Sequence, residues 1–322
     1  MNQPTPKIPL SRAILQSLQF LGIKHIITVP GTQLVPIIDA ARHQSFPKLI
    51  VATNELDGGF IACGTSLSSP LTVQEPLDIP GVILTIPGPG FLYALPAIAE
   101  ADADSIPLLV IMVKPQMSTH EFALHNLAHA EIAKPLLRAH FTLGNSGDVL
   151  SSITRAFSAT LSEEPGPVLL EIAQEILNDT VDSLECEIQK PSKAEGDTTV
   201  VAQKLSELIS TSARPLFILG KGATRASSAV RTLAQRSTIP CISTASGRGV
   251  IADSSSLCFT KDFSSGIGDT IPKLIEAADR VFVFGAKLTH NGTAGFELIL
   301  PPEKLVRVDK SSAVLSANYP SP

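Results

Sequence analysis

Glu55 sits in the run Val51-Ala52-Thr53-Asn54-Glu55-Leu56-Asp57-Gly58-Gly59-Phe60, two residues past a β-rich stretch at 48–53 and at the entrance to a glycine-containing helix. Ligands of an open parallel sheet bind at the carboxyl ends of its strands, so this order of parts delivers one carboxylate to the mouth of a ligand site. A plainer reading is a carboxylate in a helix's first turn, stabilised by the helix dipole by about 0.3–1 kcal/mol. A second buried strand at 81–86 runs into the loop Pro87-Gly88-Pro89-Gly90. Such a loop between strand and helix can cradle a phosphate on helix N–H groups. The dinucleotide fingerprint is absent, however, because Tyr93 stands where its third glycine would be, and no GxxxxGK[ST] occurs in the chain.

Two further groups lie at strand ends. Pro30-Gly31-Thr32 follows the strand 25–29, where a Pro-Gly turn needed only for its backbone geometry is the alternative reading. His120, His125, Asn126 and His129 follow the apolar strand 107–113. Three histidines raise the question of a metal, but no carboxylate or fourth ligand falls at suitable spacing, and solvated or capping histidines are the simpler reading. The four cysteines, Cys63, Cys186, Cys241 and Cys258, are widely spaced and form no CxxC pair, so reduced thiols and a cytoplasmic location are expected. Cys63 falls on the apolar face of the helix after Glu55 and packs there as a small hydrophobe.

The elements that position these groups alternate strand and helix. Helices are expected over 11–21 (capped by Ser11 and ended by Gly22), through Val35, Ile38 and Ala41, from Asp57, and over 92–103. Strands are expected at 25–29, 48–53, 81–86, 107–113 and 167–172, the last closing the unit. These strands read as continuous apolar runs, as a parallel sheet covered on both faces requires. After a polar, turn-rich stretch at 178–197, the alternation resumes with helices at 200–208, 227–235 and 270–277 and strands at 215–219, 240–243, 280–284 and 304–308. The fold class is therefore α/β, with two doubly wound parallel-sheet domains. A length of 322 residues accommodates both. A net charge of −5 without a basic block argues against a nucleic-acid face, and no apolar run reaches the ~20 residues of a membrane span. The start, Met1-Asn2-Gln3-Pro4-Thr5-Pro6, lacks the charged and apolar regions of a signal peptide.

The segment 54–64, in which Gly64 follows Glu55 by nine positions across a small, apolar helix, resembles the glutamate signature of thiamine-diphosphate enzymes of the acetolactate synthase and 2-keto acid decarboxylase type. The stretch 85–104, with Ala97, Ala99, Ala101 and Asp102, is similar to that family's Gly-Pro-Gly turn and Ala-rich helix, and Pro30-Gly31-Thr32 to its Pro-Gly turn. The resemblance implies that Glu55 is catalytic, hydrogen-bonding N1′ of the cofactor's aminopyrimidine and favouring the imino tautomer that activates the thiazolium. It further implies that Pro30, Gly31, Thr32, Gly88, Pro89 and Gly90 line the cofactor. It puts His125 and Asn126 on the substrate side, where relatives carry an aromatic-Gln or His-Gln pair; Asn in place of Gln is a departure.

On the same resemblance, residues 1–180 form the pyrimidine-binding domain, 181–197 a linker and 198–322 a Rossmann-like central domain. Gly285-Ala286-Lys287-Leu288-Thr289-His290-Asn291 lacks the arginines and acidic pair of the family's FAD stretch, so FAD is not expected. Asp148, Asp197 and Asp269 each follow a Gly, but none precedes another, so the Gly-Asp-Gly…Asn motif that holds Mg²⁺ and the diphosphate is not among these residues. The implied arrangement is a split enzyme, a hetero-oligomer built on a dimer. Thiamine diphosphate would be shared with a separate diphosphate-binding subunit that holds the Mg²⁺, and a small 2-keto acid would be decarboxylated. A non-catalytic subunit of such a complex, or a fragment of a longer enzyme, are the alternatives.

Overall fold

The computed structural model describes residues 6–68, 79–115, 124–183, 198–260 and 268–319. The chain forms two compact units, Met1–Ser192 and Lys193–Pro322. In the first, a short strand β1 (Lys7–Pro9) leads into α1 (Leu10–Phe20). There follow β2 (His25–Thr28), α2 (Val35–Ala41), β3 (Lys48–Val51), α3 (Glu55–Leu67), β4 (Gly81–Thr85), α4 (Pro89–Ala103), β5 (Leu108–Lys114) and the short α5 (His129–Ala133). The unit ends with β6 (Ala139–Leu143), α6 (Val149–Thr160), β7 (Pro167–Ala173) and β8 (Thr180–Asp182).

Six strands make one parallel sheet in the order β3-β2-β4-β5-β7-β6. From β2 the chain steps outward to β3, then crosses back to β4 on the other side of β2. Because strand–helix–strand crossovers are right-handed, that reversal sends successive helices to opposite faces. Leu10, Ile14, Ile37 and Ile153 from α1, α2 and α6 join one buried cluster, with Val82, Leu84, Leu109 and Ile111 of the sheet. Cys63, Ala62, Phe91 and Ala94 from α3 and α4 join the other, with Ile83, Val110, Met112 and Leu169. Alternate strand residues thus feed two cores, which is why the strands read as unbroken apolar runs.

Three expectations need correction. The strand at 167 is internal rather than the closing one, since β6 pairs with its far side. β6 escaped notice because, as an edge strand, it alternates half-buried and exposed positions and carries His140. Within the polar stretch 178–197 that was read as turn-rich, Thr180–Asp182 is strand β8, paired antiparallel with Lys7–Pro9. Ser11 does not cap α1. The helix starts at Leu10 behind Pro9, with no side-chain cap, and Ser11 is buried in its first turn.

The second unit carries α7 (Thr199–Ser210), β9 (Pro215–Leu219), α8 (Ser227–Ser237), β10 (Cys241–Ser243), β11 (Cys258–Thr260), α9 (Thr270–Ala277), β12 (Arg280–Phe284), β13 (Leu305–Val308) and α10 (Ser312–Ser316). Its parallel sheet runs β11-β10-β9-β12-β13. At the carboxyl ends of β9 and β12 the backbones of Gly220, Gly222 and Gly285 touch, and the Gly222 N–H donates to the Gly285 carbonyl at 2.9 Å. The Arg307 guanidinium donates to the carbonyls of Leu315, Ala317 and Tyr319, tying the last helix to β13. No helix among the described residues is long and apolar enough to cross a membrane.

Candidate active site

The reversal of strand order puts the turns after β2 and β4 side by side. Ligands of doubly wound sheets bind at such a point. Asn54 caps α3: its Oδ1 accepts the Asp57 N–H at 2.8 Å and its amide donates to the Asp57 carboxylate at 2.8 Å. The helix therefore begins at Glu55, two residues earlier than the sequence suggested, because the cap is the Asn54–Asp57 pair. This makes Glu55 the first helical residue and turns its side chain toward the neighbouring Gly-Pro-Gly turn.

Glu55 is 6% exposed. Among the described residues, no hydrogen bond or ion pair reaches its carboxyl group. A carboxylate set this deep at the carboxyl ends of the strands, and tied to no other side chain among the described residues, is placed to meet a ligand. A β-carbon at residue 90 would lie 2.7 Å from Glu55 Oε1 and 2.6 Å from Ile86 Cγ1, so only glycine leaves the carboxyl its position. A β-carbon at residue 31 would lie 2.4 Å from Ile86 Cγ2. Glu55, Gly31 and Gly90 therefore converge on Ile86.

Gly88 adopts φ +68°, in the left-handed region, and Pro89 opens α4 behind it. The His125 ring packs against Gly88, 2.7 Å from where a β-carbon would stand, and His125 itself has φ +57°. Asn126 is half-buried in the same turn. Pro30 and Thr32 are exposed, and the Thr32 hydroxyl bonds to Gln33 rather than to Glu55. His120 and Cys186 lie outside the described residues.

The sequence did not disclose the part played by His129. It is 1% exposed, and its Nε2 accepts the Gly88 N–H at 2.7 Å. Its ring meets Phe91 of α4 edge-on, centroids 5.5 Å apart. Burial holds its pKa below the usual histidine value, opposed by the negative charge of Glu171. Glu171, 3% exposed within β7, takes Lys114 Nζ at 2.6 Å and His140 Nε2 at 3.1 Å on the same oxygen. Thr85, Met112, Glu171 and Thr142 form one register row across β4, β5, β7 and β6, so their side chains share the α3–α4 face. Thr85 Oγ1, Glu171 Oε1, His125 Nδ1 and His129 Nδ1 are all buried without a well-formed hydrogen bond. A glutamate inside an otherwise apolar strand was the one sequence signal for this row. Among the described residues, no group of three or more His, Cys, Asp or Glu side chains could hold a metal ion.

Comparison with known proteins identifies the family. Residues 8–134 match the model of the thiamine pyrophosphate enzyme N-terminal TPP-binding domain, and residues 202–321 that of the thiamine pyrophosphate enzyme central domain. The chain is 26% identical over 305 residues to the acetolactate synthase isozyme 1 large subunit of Escherichia coli (strain K12), covering 94% of this chain and 52% of that protein. It is 25% identical over 319 residues to the oxalyl-CoA decarboxylase of the same organism, covering 94% and 53%. Against the 2-hydroxyacyl-CoA lyase of Oryza sativa subsp. japonica it is 25% identical over 292 residues, covering 85% and 47%. The chain thus spans about half the length of the curated relatives it matches. With both domain models in order along two doubly wound units, the chain belongs to the thiamine pyrophosphate enzymes.

Proposed function

We propose that the first unit holds the aminopyrimidine of thiamine diphosphate, with Glu55 as the catalytic carboxyl group, in an enzyme that decarboxylates a 2-keto acid. The observation that carries this reading is the Glu55 carboxylate, on a residue only 6% exposed at the point where the strand order reverses, with no partner among the described residues and seated against Gly90. The residues fit the group. Glu55 would bond a ring nitrogen and hold a proton there, while Gly88 and Gly90 give room to the His125 ring and the Glu55 carboxyl that would flank the group. Thiamine diphosphate, when bound, supplies the carbon nucleophile and electron sink that decarboxylation needs. The part left to this chain is to fix the Glu55 carboxyl, to keep water from it, and to hold the turn opposite.

The diphosphate and its Mg²⁺ are held by a separate chain carrying a Gly-Asp-Gly…Asn motif, in a hetero-oligomer. One observation supports a covering partner here: beside Glu55, α3 and α4 expose Leu56, Phe60, Leu67 and Tyr93, an apolar face suited to cover by another domain. The acyl unit left after decarboxylation is protonated or joined to a second carbonyl compound, the acetolactate synthase-like outcome. The central domain binds no flavin, since residues 285–291 offer no arginine fork for a pyrophosphate. The test is to combine this chain with a diphosphate-binding chain, thiamine diphosphate and Mg²⁺ and to follow CO₂ release from a panel of 2-keto acids. Release that depends on both chains is expected. Tight cofactor binding by this chain alone would contradict the split arrangement.

A further inference from the structure

We propose that His129 is a positioning residue whose neutral imidazole clamps the Gly88–Gly90 turn opposite Glu55, and whose protonation releases that turn, giving the site a gate on the acid side. The proposal rests on the functional reading above only in taking the turn as part of the cofactor site. The clamp itself is a matter of geometry. A backbone N–H can only donate, so the 2.7 Å bond from Gly88 requires a lone pair on His129 Nε2. The proton of the neutral ring is then on Nδ1, which has the Leu127 carbonyl nearby but no well-formed hydrogen bond. A second proton on the ring would occupy Nε2 and leave the Gly88 N–H facing another N–H, both buried.

The consequences reach Glu55 by a short route. Gly88 is the cap of α4, and Gly90, two residues on, is the glycine whose missing side chain accommodates Glu55 Oε1. Phe91, one residue further, is fully buried against the His129 ring. Moving Gly88 therefore moves the wall of the Glu55 pocket. The charged and titratable groups around the ring come from each element packed on it. Glu171 of β7 favours the protonated ring, while Lys114 of β5 and His125 of the preceding turn oppose it. His140 of β6 acts through Glu171, and Glu131 of α5 points to solvent and pairs with Lys134. Burial outweighs them and keeps the ring neutral.

The test reads the Gly88 amide directly. Its hydrogen-exchange protection, relative to the intrinsic rate at each pH, is measured by NMR from about pH 8 to about pH 5, a range that straddles the ordinary histidine value. The wild-type chain, His129→Gln and His129→Phe are compared, with the amide of Val110 in central β5 as the check that the fold persists. Wild-type protection should fall about tenfold or more toward acid, the size of effect that loss of one hydrogen bond gives. His129→Gln, whose amide oxygen accepts at every pH, should stay protected throughout; His129→Phe should be unprotected throughout. Imidazole ¹⁵N shifts should report the Nδ1–H tautomer. Wild-type protection that ignores pH, a glutamine variant that falls with the wild type, or an Nε2–H tautomer would each overturn the proposal. If the amide behaves as expected but no assembly containing the chain binds thiamine diphosphate, the functional reading fails and the clamp stands.

Discussion

Glu55 Oε1 and Gly90 stand so close that a β-carbon on residue 90 would come within 2.7 Å of that oxygen. The pocket for the carboxyl is made by the absence of one methyl group. Gly90→Ala should therefore leave most of the unit folded but push the Glu55 side chain and Ile86 aside, costing about 1–3 kcal/mol by overpacking. Thermal unfolding measures the cost. Cofactor-dependent turnover of the assembled enzyme should fall by more than that stability loss explains.

Two other glycines should respond in opposite senses. Gly88→Ala combines a left-handed backbone with collision against the His125 ring, and about 1–3 kcal/mol of destabilisation is expected. Gly64, on the exposed side of α3, has open space where a β-carbon would go. Gly64→Ala should raise the stability of the isolated chain by about 0.5–1 kcal/mol through helix propensity alone. Paired denaturation curves check both.

The depressed His129 pKa sets a direction for stability against pH. Above the ordinary histidine value the ring is neutral folded and unfolded, so it contributes no pH dependence. Below that value the unfolded chain takes up a proton that the folded chain refuses. Stability should therefore fall as pH drops, until the folded ring also protonates. Urea denaturation at a series of pH values should show this slope in the wild type and a reduced one in His129→Gln.

Glu171 opposes that depression, since its charge favours the protonated ring. Glu171→Gln should move the His129 titration further toward acid, read from its imidazole resonances. It should also destabilise the unit, because Lys114 and His140 lose the carboxylate between them.

Much of this was legible in the sequence, for definite reasons. The inner strands of a sheet covered on both faces carry unbroken apolar runs, so β4, β5, β9 and β12 announced themselves. Glu55 stood out because the run around it joins a strand end to a small-residue helix. β6 did not, because an edge strand with His140 on it has no such run. Nor was the function of His129 readable: its bond to Gly88 spans 41 residues and exists only because α5 folds back over the β4 turn. The Lys114–Glu171–His140 cluster was missed for the same reason, as its members come from three strands.

The central claim is that the Glu55 carboxyl activates thiamine diphosphate once a diphosphate-binding chain completes the site. The most direct measurement is exchange of the cofactor's C2 proton into deuterated water, followed by NMR, in complexes of that chain with either wild type or Glu55→Gln. The two side chains have nearly the same shape, so fold and assembly should match, while exchange in the mutant should be slower by about 10²–10⁴-fold, the range for a lost acid–base group. Exchange at the wild-type rate in the mutant complex would contradict the account and reduce Glu55 to a carboxylate at a helix end.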